Sequence, residues 1–225
     1  MTLSTVSERT GMTRAGARRY LLTLEHLGYL SKDERLFRLT PKVLELGFAF
    51  LSTAPLAEIV RPYLQRITRE TDELAGLAVL DRDAIVHIAS SSVQRMLVPT
   101  LTIGRRFNPL YASSGRVISA FLTPAAVEEL LRRCEIAALT SHSLKTKDEI
   151  REELKSVRRQ GYATVDQEVE EGVRSISVPL FNRQGAPLAA ITILTNVATV
   201  SRRLLIEEKL PALQRIVSEI PLQAL

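Results

Sequence analysis

The spacing of apolar residues changes character several times along the chain, and each change marks an element. Ala17, Tyr20, Leu21, Leu24 and Leu27 recur at intervals of three and four, which places them on one face of a helix. Thr13 suits the cap of that helix and Gly28 its stop. Leu3 and Val6 lie one turn apart before a break at Thr10-Gly11-Met12, so two helices joined by a tight turn are predicted. A short hairpin is expected next, with Tyr29-Leu30 and residues 36–39 around a turn over residues 31–35. Thr40-Pro41 opens a helix carrying Val43, Leu44, Leu46, Phe48, Phe50 and Leu51, apolar almost all round and so expected to pack against another chain as well as its own.

A break over residues 52–55 separates this part from a larger one. There the pattern predicts a helix over 56–71, strands over 74–80, 84–89 and 95–100, and a loop over 104–109. Helices are expected from Ser113-Ser114-Gly115, as cap, through Leu122, and from Thr123-Pro124 to about Cys134. Thr146 and Glu149 have capping-box spacing and begin a helix that Gly161 ends. From Gly161 the period becomes two. Ile176, Val178 and Leu180 alternate with Ser175, Ser177 and Pro179, the pattern of a half-buried strand; Asn182 to Gly185 is a turn, and residues 187–194 return with the small Ala189, Ala190 and Thr192. Small side chains beside the acidic segment Asp166, Glu168, Glu170, Glu171, closed by Gly172, predict the wall of a ligand cavity. Pro211 inside the helical run 201–220 predicts a kink or two helices. Strand pairs on either side of a helical middle make the class α+β.

Composition narrows the function. A chain of 225 residues with 45% apolar and 24% charged residues is ordinary for a globular protein, and no stretch is long and apolar enough for a membrane span or a signal peptide, so a cytoplasmic protein with no membrane partner is expected. A single cysteine, Cys134, excludes an intrachain disulfide framework. Net charge of +5 favours an anionic partner. The basic residues Arg9, Arg14, Arg18, Arg19, Lys32, Arg35, Arg38 and Lys42 concentrate that charge in the first fifth of the chain. Thr13, Arg14, Arg18 and Arg19 fall near the start of the second helix, on its outer face, as in a recognition helix that reads the major groove; Lys32, Arg35 and Arg38 lie on the hairpin, where a wing meets phosphates. A winged module also needs a helix in front of these two, and the chain starts at the second. An alternative is therefore a ligand-binding and oligomerisation module without DNA binding of its own.

Catalytic groups are scarce. His26, His87 and His142 lack metal-ligand spacing, Cys134 has no nearby histidine, and Asp166 and Glu168 alternate on an extended segment and so point apart. No phosphate loop or nucleophile elbow is present. The expectation is a protein that is not an enzyme and uses no cofactor.

Gly104-Arg105, Ser113-Ser114-Gly115-Arg116, Gly161-Tyr162, the acidic segment 166–171, Gly172 and the hairpin after it follow one another as in the IclR family of bacterial transcription regulators, which the chain resembles over nearly its whole length. The segments RRYLLTLEHLGYL, FRLTPKVLELGFAFL and VDQEVEEGVRSI are similar to the branch that controls aromatic acid catabolism through the β-ketoadipate pathway. The resemblance implies a winged helix-turn-helix domain (1–40, its first helix missing), a linker helix that dimerises (41–54) and a GAF-like effector-binding domain with an antiparallel sheet flanked by helices (55–225). It also implies dimers or tetramers and a small carboxylate effector. The helix start at Ser113 and Ser114 suits an anion, as free N–H groups and hydroxyls do, and also suits an ordinary cap. By the resemblance Ser113 and Ser114 contact the effector, Asp166 and Ser175 align with polar pocket positions, and Thr192 projects from the facing strand. Arg105, Arg106, Arg116 and Arg174 each have the chemistry to grip a carboxylate, although Glu168, Glu170 and Glu171 offer Arg174 a structural partner. Tyr111 is a candidate to stack on an aromatic ring, and Met96 and Leu97 to line the cavity or the core.

Overall fold

The computed structural model describes residues 1–52, 55–92 and 101–221. The chain divides into two compact units, Met1–Ala54 and Pro55–Leu225.

In the first unit α1 (Leu3–Thr10) is capped by Thr2 and ends at Gly11, whose φ of 68° is the left-handed conformation that glycine adopts without strain. Thr13 then caps α2 (Arg14–His26), its hydroxyl accepting from Gly16 N–H. Only part of the predicted apolar stripe is covered. Ala17 and Leu21 are buried, while Tyr20, Leu24 and Leu27 keep 55%, 40% and 49% of their surface in solvent, because the short α1 and the hairpin cover one edge of α2 alone. The hairpin is β1 (Leu30–Asp33) with β2 (Leu36–Leu39), so Ser31, Lys32 and Asp33 belong to a strand and the turn shrinks to Glu34-Arg35. Thr2 bridges to Leu36, which fixes the start of the chain along the edge of β2. A 3-10 turn, Pro41–Val43, leads into α3 (Leu44–Ser52), and Thr40 ties that junction back by donating its hydroxyl to the Gly28 carbonyl at 2.6 Å.

The second unit is built on a six-stranded antiparallel sheet of order β5-β4-β3-β8-β7-β6. Its strands are β3 (Leu74–Asp81), β4 (Ala84–Ser91), β5 (Arg106–Phe107), β6 (Ala163–Asp166), β7 (Val173–Phe181) and β8 (Pro187–Asn196). Within the predicted loop 104–109, Arg106 and Phe107 pair with Val86 and Ile85, making a short edge strand. The predicted strand over 95–100, with Met96 and Leu97, lies outside the described residues.

Helices cover both faces of the sheet. α5 (Ser113–Ala120) packs on β7 and β8 and against α7 (Lys147–Gln160), with α6 (Pro124–Arg133) adding Leu130 and Leu131 to the same core. The other face, with Ile176, Val178, Ile191 and Ile193, meets α4 (Pro55–Thr71) and α9 (Leu210–Ser218). For that reason β7 is not half-buried. Ser175 and Ser177 point under α5 rather than into water, so the stretch from Arg174 to Val178 is buried on both sides. Ala190 belongs to the core beneath α5 and gives room to that helix rather than to a cavity. The Thr146 capping box and the left-handed Gly161 bound α7 as expected. Near the C-terminus α8 (Arg202–Leu204) runs through a π-helical turn (Leu205–Lys209) into α9, with Pro211 in the first turn after the change of helix type. A change of helix type thus absorbs the proline.

Candidate functional site

The start of α5 is placed by a close approach. A Cβ on Gly115 would lie 2.2 Å from the Pro109 carbonyl oxygen, so only glycine lets the preceding loop press against the helix. The N-cap is Ala112, not a serine, and no side chain caps the helix. Ser113 and Ser114 are its first residues, and their amide N–H groups find no acceptor among the described residues. The Ser113 hydroxyl instead reaches the sheet. It donates to Ser175 Oγ at 2.8 Å and shares a 2.7 Å hydrogen bond with Ser177 Oγ, which in turn lies 2.7 Å from Thr192 Oγ1. This chain of hydroxyls pins the helix to β7 and β8. Ser114 Oγ makes no hydrogen bond to any described residue.

These groups border a cavity of about 370 Å³ within the second unit. Ser113, Ser114, Ser175 and Thr192 line it together with Tyr111, Arg105 and Phe107, and Val165, Val169, Glu170, Val173 and Leu194 close the side near β6 and the acidic segment. A pocket of this size, largely apolar with a few converging polar groups, suits a small organic ligand. Tyr111 forms wall rather than a free ring: it is buried, and its hydroxyl donates to the Leu144 carbonyl at 3.0 Å.

The four arginines separate clearly. Arg116 is 1% exposed and grips Glu168 with both terminal nitrogens, at 2.7 and 2.5 Å, while its Nε donates to the Leu110 carbonyl at 2.7 Å. Arg106 is held by Asp81. Arg174 pairs with Asp166 at 2.8 Å and donates to the Val200 carbonyl at 2.6 Å, so its partner is not one of the glutamates of the acidic segment. Asp166 is thereby removed from the site. It alternates with the cavity-lining Val165, and Arg174 holds its Oδ2 on the opposite side of β6, while Oδ1 has no partner among the described residues. Arg105 alone of the four lines the cavity, its guanidinium 4.7 Å from the Phe107 ring centroid and without a carboxylate partner among the described residues.

His87, on β4, is the residue that the sequence reading passed over. It is 6% exposed, lines the cavity, meets Phe107 edge-to-face at 5.8 Å, and neither Nδ1 nor Nε2 has a hydrogen-bond partner among the described residues. Burial lowers its pKa to about 4, so the ring is neutral near pH 7. Testing the histidines only for metal spacing missed it. Its place between Val86 and Ile88, in phase with Ile85, was the available signal, since it sets a polar ring on the inward side of an apolar strand. Gly76, on the neighbouring strand, keeps the floor low there, because a Cβ would sit 2.7 Å from Leu101 Cδ1 and 3.4 Å from His87 Cδ2.

In the first unit Thr13, Arg14, Arg18 and Arg19 stand exposed at the start of α2, and Lys32, Arg35 and Arg38 stand exposed on the hairpin; none forms an ion pair among the described residues. No group of His, Cys, Asp or Glu among the described residues could hold a metal ion, and none of their helices is long and apolar enough to cross a membrane.

Comparison with known proteins matches this geometry. Residues 1–34 fit the IclR helix-turn-helix domain, and residues 48–221 fit the bacterial transcriptional regulator IclR C-terminal domain. The Pca regulon regulatory protein of Pseudomonas putida is 40% identical over 95% of this chain and 74% of its own length. The p-hydroxybenzoate hydroxylase transcriptional activator of Acinetobacter baylyi is 31% identical over 98% of this chain and 83% of its own. Among solved structures, a transcriptional regulator from Rhodococcus sp. RHA1 superposes with a TM-score of 0.82 at 36% identity, over 99% of this chain and 89% of that one. The inducer-binding domain of a double mutant of the Acinetobacter PobR transcription factor, in complex with 3-hydroxybenzoic acid, gives 0.68 at 25% identity over 72% of this chain and 95% of that one. The winged basic head, the helix-flanked antiparallel sheet and these relationships together make the chain a member of the IclR family of bacterial transcription regulators.

Proposed function

We propose that this regulator senses a small aromatic or ring-cleavage carboxylic acid in the cavity at the start of α5 and controls genes for the breakdown of aromatic compounds. One observation carries the reading. Arg106, Arg116 and Arg174 are each held by a carboxylate, whereas Arg105 has no carboxylate partner among the described residues and lines the same cavity as the uncapped start of α5 at Ser113 and Ser114. A buried carboxylate needs such a setting of charge and free donors. Ser175 and Thr192 hold the hydroxyl chain that fixes the helix start, Tyr111 and Phe107 supply wall, and Asp166 has a structural role. The regulators of aromatic acid genes among the relatives, and the hydroxybenzoic acid bound by one of them, support the same class of ligand.

At the other end, Thr13, Arg14, Arg18 and Arg19 enter the major groove, and Lys32, Arg35 and Arg38 contact the backbone. Two copies of the chain read two half-sites, dimer or tetramer, in the cytoplasm. The effector shifts the balance between arrangements of the copies. The protein catalyses no reaction on the acid.

A thermal-shift titration tests the sensing role. Of protocatechuate, 4-hydroxybenzoate, cis,cis-muconate and β-ketoadipate, at least one is expected to stabilise the protein by ~2.7 kcal/mol at 100 times its dissociation constant. Arg105→Gln should need a much higher concentration for the same shift. No shift with any of the four, against inert carboxylate controls, overturns the reading.

A further inference from the structure

The outer side of α2 carries more than charge. At about 100° of turn per residue, Arg19 stands about 180° round the helix from the midpoint of the buried Ala17 and Leu21, so it points away from the core of the first unit. Ala15 and Thr23, one turn before and one turn after it, are exposed beside it, and with the half-buried Leu22 they border one shallow groove along the helix. Thr23 donates its hydroxyl to the Arg19 carbonyl at 2.9 Å, which leaves its methyl as the outward group. Arg19 itself forms no ion pair among the described residues, and its guanidinium lies 6.0 Å from the Tyr20 ring centroid. One cation thus stands in an apolar setting.

We infer that Arg19 reads a guanine in the operator and that Leu22 reads the methyl of a neighbouring thymine. The inference rests on the placement of α2 in the major groove proposed above. A guanidinium fork matches the two adjacent acceptors of guanine, O6 and N7. Adenine sets an amino donor in that place and takes an amide to read it, while the amino group of cytosine takes a carboxylate. α2 contains no Asn or Gln, and its one carboxylate, Glu25, lies about 120° round the helix from Arg19. His26 shares the outer side but stands about 10 Å further along the axis, beyond the same base pair. Around Arg19, therefore, the helix meets the bases with donors and apolar surface. Thymine is the base whose major-groove edge carries a methyl group to suit such surface. Leu22 is about 4.5 Å along the axis from Arg19, which puts its thymine within about two base pairs of the guanine. Arg14 turns about 140° from the direction of Arg19, toward the wall of the groove, where its charge meets phosphate.

Duplexes enriched by the intact protein from a random-sequence pool supply the probe. Each guanine of the enriched half-site is replaced in turn by 7-deazaguanine, which lacks N7, and each thymine by uracil, which lacks the methyl. Affinities are read by fluorescence anisotropy with wild type, Arg19→Ala, Arg14→Ala and Leu22→Ala. At one position 7-deazaguanine should weaken wild type about tenfold, the loss of one charge-assisted hydrogen bond, and should cost nothing further with Arg19→Ala. Arg14→Ala should bind every probe more weakly by the same factor and keep the tenfold difference, a contrast that loss of charge alone would not give. One uracil within two base pairs of that guanine should weaken wild type about fourfold, the worth of a buried methyl group, and the effect should vanish with Leu22→Ala. A 7-deazaguanine penalty that survives whole in Arg19→Ala overturns the role of Arg19. A uracil penalty that is absent, or that Leu22→Ala leaves whole, overturns the role of Leu22. In both cases α2 remains a DNA-reading helix. A pool from which no sequence is enriched overturns that placement of α2 and this inference with it.

Discussion

The two units treat charge in opposite ways. Among the described residues of the N-terminal unit no ion pair forms, and its arginines and lysines stand in water. In the C-terminal unit carboxylates hold arginines at every depth, Arg151 with Glu128 and Asp148 at the surface, Arg174 with Asp166 below it, and Arg116 with Glu168 at the bottom. The difference has a physical reason. A solvated cation needs no partner within the protein and is free for an external anion, whereas a buried one must be neutralised by its own chain. The cavity departs from its surroundings. His87 is buried with neither ring nitrogen partnered among the described residues, the exposed Arg105 has no carboxylate partner among them, and the cavity that both line is what singles them out as binding groups.

The largest test of this contrast is Arg116. Its removal leaves Glu168 charged and buried, so Arg116→Ala is expected to cost about 3 to 5 kcal/mol in urea unfolding. The double replacement Arg116→Met with Glu168→Leu removes both charges at similar volume and should recover most of that loss. If Arg116→Ala unfolds at the wild-type midpoint, the pair is not structural, and the separation of Arg105 from its neighbours loses its basis.

His87 gives the next effect, through pH. Its pKa is about 4 when folded against an ordinary 6.5, so between these values the unfolded chain binds a proton that the folded chain refuses. Stability from this residue is complete above pH 6.5 and is lost as the pH falls toward 4, by about 3 kcal/mol at most. Arg105 and Glu170 border the same cavity, and Phe107 and Gly76 flank the ring. In His87→Phe the stability profile should flatten over that window. An unchanged slope would mean that the ring is solvated and that the cavity opens to water around it.

Much of this was legible in the sequence. Capping residues and glycines gave α1, α2 and α7 nearly to the residue, because caps and left-handed stops act within a few positions of the chain. Ser113, Ser114, Ser175, Thr192, Arg105 and Tyr111 were named from the sequence and come together around one cavity. What the sequence could not give depends on partners far along the chain. Ser177 read as the polar side of a half-buried strand until α5 is laid over it; Asp166 read as a pocket position until Arg174 holds it; His87 read as an isolated histidine until β4 sets it in the wall of the cavity. Local pattern reports which residues are polar. Only the fold reports which of them are already satisfied.

The smallest effect on the fold belongs to the N-terminal unit, and there the contrast is sharpest. Arg18 is exposed on α2 and without an ion pair, so Arg18→Ala should leave the urea midpoint within about 0.5 kcal/mol of wild type. Effector affinity should not change either. Affinity for a bound DNA fragment should nevertheless fall by about tenfold, and if Arg18 reads a base edge the loss should fall unevenly across fragments that differ at one position, whereas a phosphate contact would weaken all of them alike and reduce the salt dependence. Gel-shift titrations at two salt concentrations, beside the unfolding curve, separate these cases. A loss of stability without a loss of DNA affinity would give Arg18 the role of Arg116, a charge kept for the fold, and the distinction between the two units would fail at the position where it is most exposed.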